Sequence, residues 1–518
     1  MNLASLPLKS FEPRDYQLAA ARSVMQKGNT LVVMPTALGK TYISILVLAA
    51  VLAKKPNSRA LFLAPTKPLA SQQFRKMQEC LAVDGEKFCL LTGEVSPQER
   101  IALLNNAQII CATPQVIEND VLSGKVSLRN FELIVFDEVH RAVGDYSYSF
   151  IAQQAAIAVP SPLLLGLTAS PSSEKEKIKE ICSNLKVENV FVRGENDADV
   201  RRYVNKVQVE WQFIALPHWM NEIRDILTEV LRENVKDLKE IGFLQSADLS
   251  QLNKRDVLAL RVVISQQLSK DKSAYRAFTL QAKCLSVMHA LDILDAQGLD
   301  ALHSFLLSIK TKDKPTKASR ELAGDFRLEK VLFKCKSLLD AGESHPKFPA
   351  VLQLIGDSVK RGESVILFAH YRDTVQKLVE LFRANDINCQ ALVGKTLKEG
   401  SGMSGMTQKK QIAVVEAFKQ REFPLLVCTS VGEEGLDLTS VDLVVFFEAV
   451  SSEIRLIQRR GRAGRIKQGR VVVLVAKGTK DEAFHWISRR KERKMNEALK
   501  TLGSSGFSSN EQLKMNDF

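Results

Sequence analysis

The sequence has little that would place the protein in a membrane or an oxidising compartment. Its 8 cysteines are scattered, without a CxxC pair or a Cys/His cluster at zinc spacing, so we expect buried thiols rather than disulfides or a zinc site. The longest apolar stretch, Ile43 to Ala53, is far shorter than the roughly 20 residues that a membrane-spanning helix requires. No basic segment followed by an apolar one opens the chain, so we expect no signal peptide. These absences predict a cytoplasmic protein without a membrane partner.

Composition and charge indicate a globular protein with a polyanionic partner. The 518 residues are 45% hydrophobic and 25% charged, which excludes a wholly disordered or low-complexity chain. At roughly 150 residues per domain, this length predicts about three domains. The net charge of +13 favours nucleic acid as a partner, because a basic surface attracts phosphate.

Two parts of the chain alternate between strand-like and helix-like segments, as chains that form parallel α/β sheets do. Short apolar, β-branched runs are separated by stretches of helical length, which predicts strands covered by helices on both faces. In the first part these runs are TLVVMP from Thr30, ALFLAP from Ala60, QIICAT from Gln108, LIVFDE from Leu133 and LLLGLTAS from Leu163. In the second part they are SVILFAH from Ser364, PLLVCTS from Pro424, DLVVFFE from Asp442 and RVVVLVA from Arg470.

The segment between these parts lacks strand signals. From about Leu216 to Asp340, apolar and charged residues recur at helical spacing, so we expect an all-helical insertion. Near its end lies a basic run, residues 310–320, in which Asp313 is the one acidic residue before Arg320; it is either a solvated loop or a segment that contacts phosphate. The predicted domains are 1–205, 206–343, 344–500 and a flexible tail, 501–518.

The loop after the first strand has the composition of a phosphate-binding loop. MPTALGKTY places Gly39, Lys40 and Thr41 between a strand and a helix, where backbone N–H groups can face phosphate. Lys40 can then reach the outer phosphates and Thr41 can ligate Mg²⁺. Taken alone, GKT also fits an ordinary turn. Ala37 carries a Cβ, which would strain a loop that needs positive φ there by about 1 kcal/mol and could lower nucleotide affinity.

Two acidic residues end another apolar strand. In LIVFDEVH, Asp137 can hold Mg²⁺ while Glu138 can orient and deprotonate an attacking water. Packing gives no reason for two carboxylates at the end of a buried strand. The pair therefore favours hydrolysis of a nucleoside triphosphate bound by Lys40.

A glycine-flanked cluster of arginines, IQRRGRAGR, begins at Ile457. Planar guanidinium groups suit a bidentate contact with a transferring phosphoryl group, so Arg462 and Arg465, with Gln458 beside them, are candidates for that contact. A solvated basic turn is the alternative.

Nine motifs occur along the chain in one order. They are FEPRDYQ from Phe11, PTALGKT from Pro35, APTKPLA from Ala64, TGE from Thr92, ATPQVI from Ala112, DEVH from Asp137, LTASP from Leu167, TSVGEEGLD from Thr429 and QRRGRAGR from Gln458. The series resembles that of superfamily 2 helicases and translocases over almost the whole chain. FDEVHRAVGDY from Phe136 and the helical insertion resemble more closely the helicase part of archaeal Hef. Its eukaryotic relatives are the Fanconi anaemia M and Mph-type fork remodellers; Dicer and RIG-I-like helicases are more distant.

The resemblance implies two RecA-like parallel-sheet domains with ATP bound between them and a thumb-like helical insertion. Adenine would be contacted by Arg14, Tyr16 and Gln17, and the phosphates by Pro35, Thr36, Ala37, Leu38, Gly39, Lys40 and Thr41. Gly435 and Asp437 would complete the cleft from the second domain, from which Gln458, Arg462 and Arg465 would reach the γ-phosphate. Thr168 and Ser170 would couple nucleotide state to DNA.

The same resemblance implies a DNA track across both domains. In the first domain it would use Pro65, Thr66, Lys67, Thr92, Gly93, Thr113 and Pro114, and in the second His370, Tyr371, Arg372 and Thr429. Backbone and hydroxyl groups of this kind contact phosphate and sugar, so the protein would follow a strand rather than distinguish its sequence.

The implied function is an ATP- and Mg²⁺-dependent 3′–5′ helicase or translocase, nucleoid-associated, that acts on branched or fork DNA in replication-fork repair. One alternative is a duplex-RNA translocase of the Dicer or RIG-I kind. Another is a non-catalytic DNA-binding adaptor whose nucleotide site is impaired at Ala37.

Two protein partners are also expected. DNA cleavage would require a separate nuclease, because Ala498 occupies the place of the Asp in the one ERKxxxD-like stretch, which begins at Glu492. Gln512, Met515 and Phe518 have the spacing of a peptide that binds a sliding clamp and resemble that of archaeal replication proteins. A disordered tail is the alternative.

Overall fold

A computed structural model describes residues 5–9, 11–35, 38–159, 161–169, 175–195, 197–203, 208–250, 252–267, 273–394, 405–429, 441–449 and 469–504. This part of the chain contains two parallel sheets and an all-helical region between them, which confirms the predicted fold class. All 8 cysteines are buried. Among the described residues, no helix is long and apolar enough to span a bilayer.

The first sheet has 7 strands, all parallel. They are β1 (Thr30–Val33), β2 (Arg59–Leu63), β3 (Phe88–Leu91), β4 (Ile109–Ala112), β5 (Phe131–Asp137), β6 (Leu163–Thr168) and β7 (Asn189–Val192). Their order in the sheet is β3-β4-β2-β5-β6-β1-β7. The helices of this domain are α1 (Asp15–Lys27), α2 (Lys40–Lys54), α3 (Lys67–Cys80), α4 (Pro97–Asn106), α5 (Pro114–Leu122), α6 (Ser147–Ala158) and α7 (Lys175–Asn184).

The central strands are apolar on both faces because helices cover both. Every residue of β1 and of β4 is buried. The long apolar stretch of the sequence is α2, which is buried at each residue from Ile43 to Leu52 and packs between the sheet, α1 and α3. A helix that is apolar all round belongs in such a position.

The second sheet has 6 strands, also parallel. It comprises β8 (Gln208–Ile214), β9 (Val365–Phe368), β10 (Cys389–Leu392), β11 (Leu425–Cys428), β12 (Leu443–Phe446) and β13 (Arg470–Ala476), in the order β10-β11-β9-β12-β13-β8. The helices around it are α14 (Lys347–Lys360), α15 (Arg372–Ala384), α16 (Gln408–Lys419) and α17 (Lys480–Ser504).

Strand β8 differs from the sequence-based expectation, which places residues 206–343 in the helical insertion. It pairs with β13 along its whole length, from Gln208 opposite Arg470 to Ile214 opposite Ala476. Its sequence, QVEWQFI, alternates and leaves three of seven residues exposed, because β8 forms an edge of the sheet. The second sheet is thus completed by a segment that precedes the insertion.

The insertion is a helical bundle with its own core. Its helices are α8 (His218–Glu240), α9 (Lys254–Gln267), α10 (Ser273–Ala296), α11 (Leu299–Lys310), α12 (Lys317–Ala323) and α13 (Phe326–Asp340). Helix α8 buries Ile223, Leu227 and Val230, three or four residues apart, against the other helices. This is the helical spacing that predicts such a bundle.

Polar contacts join the bundle to the second domain. Asp292 of α10 forms ion pairs with Lys254 of α9 and with Lys480 at the start of α17. Nearby, Arg224 of α8 donates a hydrogen bond of 2.6 Å to the carbonyl oxygen of Gly478. These contacts place the ends of α8 and α10 against the loop that precedes α17.

Candidate functional site

The predicted site residues of the first domain lie along one edge of its sheet. Because all strands are parallel, their carboxyl ends share that edge, which is where α/β sheets bind ligands. The phosphate loop follows β1, Asp137 ends β5 and Thr168 ends β6, and these three strands are neighbours. The residues predicted to contact nucleic acid follow β2, β3 and β4, which form the adjoining half of the sheet.

The phosphate loop ends at a left-handed glycine. Gly39 caps the N-terminus of α2 with φ 73° and ψ 46°, and a Cβ there would lie 2.7 Å from Nε2 of Gln17. Lys40 begins α2 and its Nζ donates to the carbonyl oxygen of Met34 at 3.3 Å. The positive end of α2 and the Lys40 ammonium group are therefore close together, as an anion site requires.

Side chains at the start of α1 support this loop. The Tyr16 hydroxyl and Gln17 Nε2 each donate to the carbonyl oxygen of Leu38, both at 3.0 Å. Arg14 donates from its backbone nitrogen to Gln17 Oε1 and from Nη1 to the Tyr16 hydroxyl, both at 2.9 Å. Burial raises the pKa of Tyr16. These residues thus position the loop, while their contact with adenine stays a prediction.

Asp137 is buried and held by neighbouring side chains. Its Oδ1 accepts from the Glu138 backbone at 3.0 Å, and its Oδ2 accepts from Gln73 Nε2 of α3 at 3.2 Å. The fully buried Tyr148 of α6 donates to the carbonyl oxygen of Asp137 at 2.7 Å and lies 3.1 Å from that of Leu63. The end of β5 is therefore fixed in position from two helices.

The two carboxyl groups have opposite pKa shifts. Burial raises the pKa of Asp137 to about 7, and the neighbouring Glu138 adds to this effect. Burial also acts to raise the pKa of Glu138, but His140, together with Lys40 and Arg141, outweighs it and the net pKa is lowered. Nδ1 of His140 lies 3.3 Å from Oε2 of Glu138. Glu138 is therefore anionic at neutral pH, as a general base must be.

Asp137 and Thr41 offer the oxygen ligands that Mg²⁺ prefers. A cation beside Asp137 would offset the burial that raises the pKa of this carboxyl group. Among the described residues there is no cluster of three or more His, Cys, Asp or Glu that could hold a metal ion. Mg²⁺ keeps several waters and binds substrate phosphates, so it needs only a small number of protein ligands. Asp137 and Thr41 therefore fit this ion.

The segments predicted to contact nucleic acid lie in the loops between strands and helices of the first domain. Pro65, Thr66 and Lys67 follow β2, Thr92 and Gly93 follow β3, and Thr113 and Pro114 follow β4. Thr66 caps α3, and no hydrogen-bond partner of its buried Oγ1 is present among the described residues. Lys67 forms an ion pair with Glu94, and a Cβ at Gly93 would meet open space. These positions share the carboxyl edge of the sheet, where the Thr92 side chain and the Thr66 hydroxyl are buried.

In the second domain, the predicted contacts follow neighbouring strands. His370, Tyr371 and Arg372 follow β9, and Thr429 follows β11. The backbone nitrogen of His370 donates to Glu448 Oε2 at 3.0 Å, and Arg372 Nη2 donates to the carbonyl oxygen of Gly394 at 2.9 Å. The loop after β9 is thereby tied to the segments that follow β12 and β10.

Several predicted site residues lie outside the described part of the chain. They are Thr36 and Ala37 of the phosphate loop, Ser170, Gly435, Asp437, Gln458, Arg462 and Arg465, and Gln512, Met515 and Phe518 of the tail. Their roles stay predictions.

The structure adds four residues that sequence analysis did not assign to the site: Gln73, His140, Tyr148 and Glu448. Two of them had a signal in the sequence. His140 ends the DEVH motif. Gln73 is the polar member of an otherwise apolar stripe on α3, with Ala70 and Met77, and a buried amide in such a stripe requires a partner. Burial raises the pKa of Glu448 to about 7, although Lys347 opposes the shift.

Comparison with protein families matches three parts of the chain. The DEAD/DEAH box helicase model matches residues 14–178, and the helicase conserved C-terminal domain matches residues 346–467. A helical bundle described as that of a putative ATP-dependent RNA helicase matches residues 219–345. The three matches correspond to the first domain, the second domain and the insertion.

Curated relatives are longer than this chain. A putative ATP-dependent RNA helicase of Methanocaldococcus jannaschii is 38% identical over 95% of the chain and 61% of its own length. The ATP-dependent DNA helicase mph1 of Neurospora crassa is 31% identical over 91% of the chain and 42% of its own length. The Fanconi anemia group M protein homolog of Mus musculus is 29% identical over 92% of the chain and 25% of its own length.

A solved structure matches almost throughout. The crystal structure of the Pyrococcus furiosus Hef helicase domain is 40% identical, with a TM-score of 0.72, over 92% of this chain and 98% of that one. The chain therefore belongs to the superfamily 2 helicases of the Hef type.

Proposed function

We propose that the protein is an ATP-driven motor that translocates 3′–5′ on DNA and remodels forks or other branched structures. The observation that carries this proposal is the division of the first sheet's carboxyl edge. Strands β1, β5 and β6 bring the phosphate loop, Asp137 and Thr168 together, and β2, β3 and β4 bring three helix-starting loops beside them. A nucleotide-driven change at one half would be passed directly to the other half.

In this mechanism Glu138 orients and deprotonates the water that attacks the γ-phosphate, since it is anionic and next to Lys40. Lys40 and the N-terminus of α2 hold the phosphates. Asp137 and Thr41 would hold Mg²⁺, which would offset phosphate charge when bound. Arg462 and Arg465 of the second domain would contact the γ-phosphate, so that ATP favours domain closure and hydrolysis releases it.

DNA would bind across both domains through the loops after β2, β3, β4, β9 and β11. Their hydroxyl and backbone groups suit phosphate and sugar, which makes the contacts independent of base sequence. The Neurospora crassa relative is named an ATP-dependent DNA helicase, which supports DNA as the substrate class. We expect the motor to be nucleoid-associated, with a separate nuclease and a sliding clamp among its partners.

Duplex RNA is the second candidate substrate. The Methanocaldococcus jannaschii relative and the helical-bundle family both have names of putative RNA helicases. The two candidates differ in which nucleic acid should stimulate ATP hydrolysis.

The test is steady-state ATP hydrolysis without nucleic acid and with single-stranded DNA, blunt duplex, a fork, a four-way junction or duplex RNA. The strongest stimulation by fork or junction DNA is the expected result. Stimulation by RNA alone would transfer the protein to the second candidate. No hydrolysis under any condition would contradict both motors and support an adaptor with a nucleotide site impaired at Ala37.

A further inference from the structure

Helix α13 exposes two phenylalanine side chains on one face of the insertion. Phe326 is 74% exposed and Phe333 is 75% exposed, more than any other described phenylalanine. They are seven residues apart, which is two helical turns, or about 10 Å along the axis. The opposite face of α13 buries Leu328, Val331 and Cys335 in the bundle core. The two exposed rings therefore do not help to pack the bundle.

Positive side chains accompany these rings. Lys330 lies between Phe326 and Phe333 on the same face, and Lys336 follows Phe333 by one turn. Within the part of the chain that the structure describes, no carboxylate forms an ion pair with Lys330 or Lys336. The aromatic face comprises Phe326, Lys330, Phe333 and Lys336.

The acidic neighbour of this face is already neutralised. Glu329 accepts a hydrogen bond of 2.7 Å from Nζ of Lys310, which ends α11. That contact also places the start of the basic run, residues 310–320, against α13. Lys312, Lys314 and Lys317 of this run have no ion-pair partner among the described residues. The surroundings of the aromatic face are therefore positive.

We propose that the aromatic face binds unpaired nucleobases of the nucleic acid on which the motor acts. Alternating exposed rings and cations are how proteins hold single strands: each ring stacks on a base, and the lysines contact the phosphates between. Charge complementarity favours this ligand over an apolar protein segment, which would gain nothing from the unpaired lysines. The inference rests on the proposed function and extends it, because the insertion then holds the unpaired arm of a branched substrate.

The test compares a fork with single-stranded arms and a blunt duplex of equal length by fluorescence anisotropy without ATP. The double variant Phe326→Ala/Phe333→Ala should bind the fork at least about tenfold more weakly, as expected for the loss of two stacking contacts. Its affinity for the blunt duplex should stay within about twofold, because paired bases offer no free face. Both rings are exposed, so these changes leave the core intact.

Further variants separate stacking from other contacts. Phe326→Trp/Phe333→Trp should retain fork affinity, whereas Phe326→Leu/Phe333→Leu should lose it. Tyr275→Ala is the matched control: Tyr275 is a 65% exposed aromatic residue on α10 of the same insertion, outside the aromatic face, and its removal should have no effect. Lys330→Gln/Lys336→Gln should reduce the slope of log K against log salt by about 1.4 for a single strand.

Three results would overturn the inference: unchanged fork affinity of the alanine variant, retained affinity of the leucine variant, or equal losses on fork and duplex. The same comparison with RNA forks tells which unpaired strand is preferred. If the wild-type protein binds forks and hydrolyses ATP on them, and the alanine variant does both equally well, this inference fails while the proposed function stands. If the wild type binds no nucleic acid, the proposed function fails as well.

Discussion

Glu138 has a backbone conformation that side chains seldom adopt. Its φ of 51° and ψ of 51° lie in the left-handed region, which costs a residue with a Cβ roughly 1–2 kcal/mol. Asp137 and Tyr148 hold the strand end in place, so this conformation is stabilised by the surrounding structure. Strain of this kind is typical of catalytic positions, and it directs the Glu138 carboxylate towards Lys40 and His140.

Substitution at the carboxylate or the lysine should uncouple ATP turnover from nucleic-acid binding. Glu138→Gln removes the general base and should lower ATP turnover at least about 100-fold. Lys40→Ala removes the phosphate contact and should abolish turnover. Fork affinity, measured by anisotropy, should stay within about threefold for both, because the predicted DNA contacts follow other strands. Hydrolysis at the wild-type rate by either variant would contradict the assignment of the site.

Gly39→Ala should prevent nucleotide binding because of a collision as well as backbone strain. A methyl group there would lie 2.7 Å from Gln17 Nε2, which is hydrogen-bonded to the loop. Gly124→Ala is the matched control, since Gly124 has φ 68° and open space around its Cβ position. The positive φ should cost each variant about 1 kcal/mol of stability, and the collision should add to that cost in Gly39→Ala alone.

The measurement for this pair is the affinity for a fluorescent ATP analogue. Only Gly39→Ala is expected to lose affinity. Similar affinities of the two variants would show that the close approach of Gln17 has no functional role.

Asp137→Asn should stabilise the free protein more at pH 8 than at pH 5. The folded-state pKa of about 7 lies above the unfolded value of 3.8. Below about pH 3.8 the carboxyl group is protonated in both states and costs no stability. As the pH rises from there to about 7, the unfolded state ionises while the folded state does not, so the folded state loses stability relative to it. The asparagine variant avoids that loss, so its gain in unfolding temperature over wild type should increase with pH.

Thermal unfolding at both pH values, without nucleotide, provides the measurement. Glu448, whose pKa is also raised to about 7, is present in both proteins, so its contribution cancels. A gain that is equal at pH 5 and pH 8 would show that Asp137 is not destabilised by its burial.

At the scale of elements, one buried ion pair joins the first and last helices of the second domain. Lys347 of α14 has no solvent exposure, and its Nζ pairs with Asp481 of α17 and donates to the carbonyl oxygen of Phe447 at 2.7 Å. Asp481 also accepts from the backbone nitrogens of Ala449 and Ala476, both at 3.3 Å. The pair therefore fixes the ends of β12 and β13 relative to both helices.

Lys347→Met should destabilise the second domain by about 3–5 kcal/mol, because it leaves the Asp481 carboxylate buried without its cation. Lys76→Met, which breaks the exposed pair between Lys76 and Glu79, is the control and should cost less than about 1 kcal/mol. Urea unfolding of both variants gives the comparison. Equal losses of stability would mean that the buried pair is no stronger than a surface pair.

The strands that sequence analysis predicted and those that it missed differ in their place in the sheets. All nine predicted runs are strands, whereas β3, β7, β8 and β10 were not predicted. These four are the edge strands of the two sheets. Interior strands are covered on both sides and give continuous apolar runs, but an edge strand tolerates polar residues, as in CQAL and QVEWQFI.

The site shows the same division between local and long-range information. Lys40, Asp137 and Glu138 follow from motifs because strand, loop and chemistry are adjacent in sequence. Gln73 and Tyr148 reach Asp137 from α3 and α6, 64 and 11 residues away. Their roles depend on how helices pack on the sheet, which a motif does not encode.

At the scale of the whole molecule, the second domain is not continuous in sequence. A fragment of residues 344–504 lacks β8, so the seven-residue edge of β13 would be unpaired, and we expect it to aggregate. A fragment of residues 208–504 retains β8 and the insertion and should be monodisperse. Size-exclusion chromatography with light scattering distinguishes them. A monodisperse short fragment would show that β8 is dispensable for folding.

The position of β8 also has a consequence during synthesis. Its partner β13 begins at residue 470, more than 250 residues after β8 ends at Ile214. At about 5–20 residues per second, the ribosome needs roughly 10 to 50 seconds to make that distance. During this time Trp211 and Phe213 have no sheet to join, although the insertion can fold within it. The nascent chain therefore exposes an unpaired strand with two aromatic residues while the adjacent bundle folds. Slower translation or a missing chaperone would prolong that exposure.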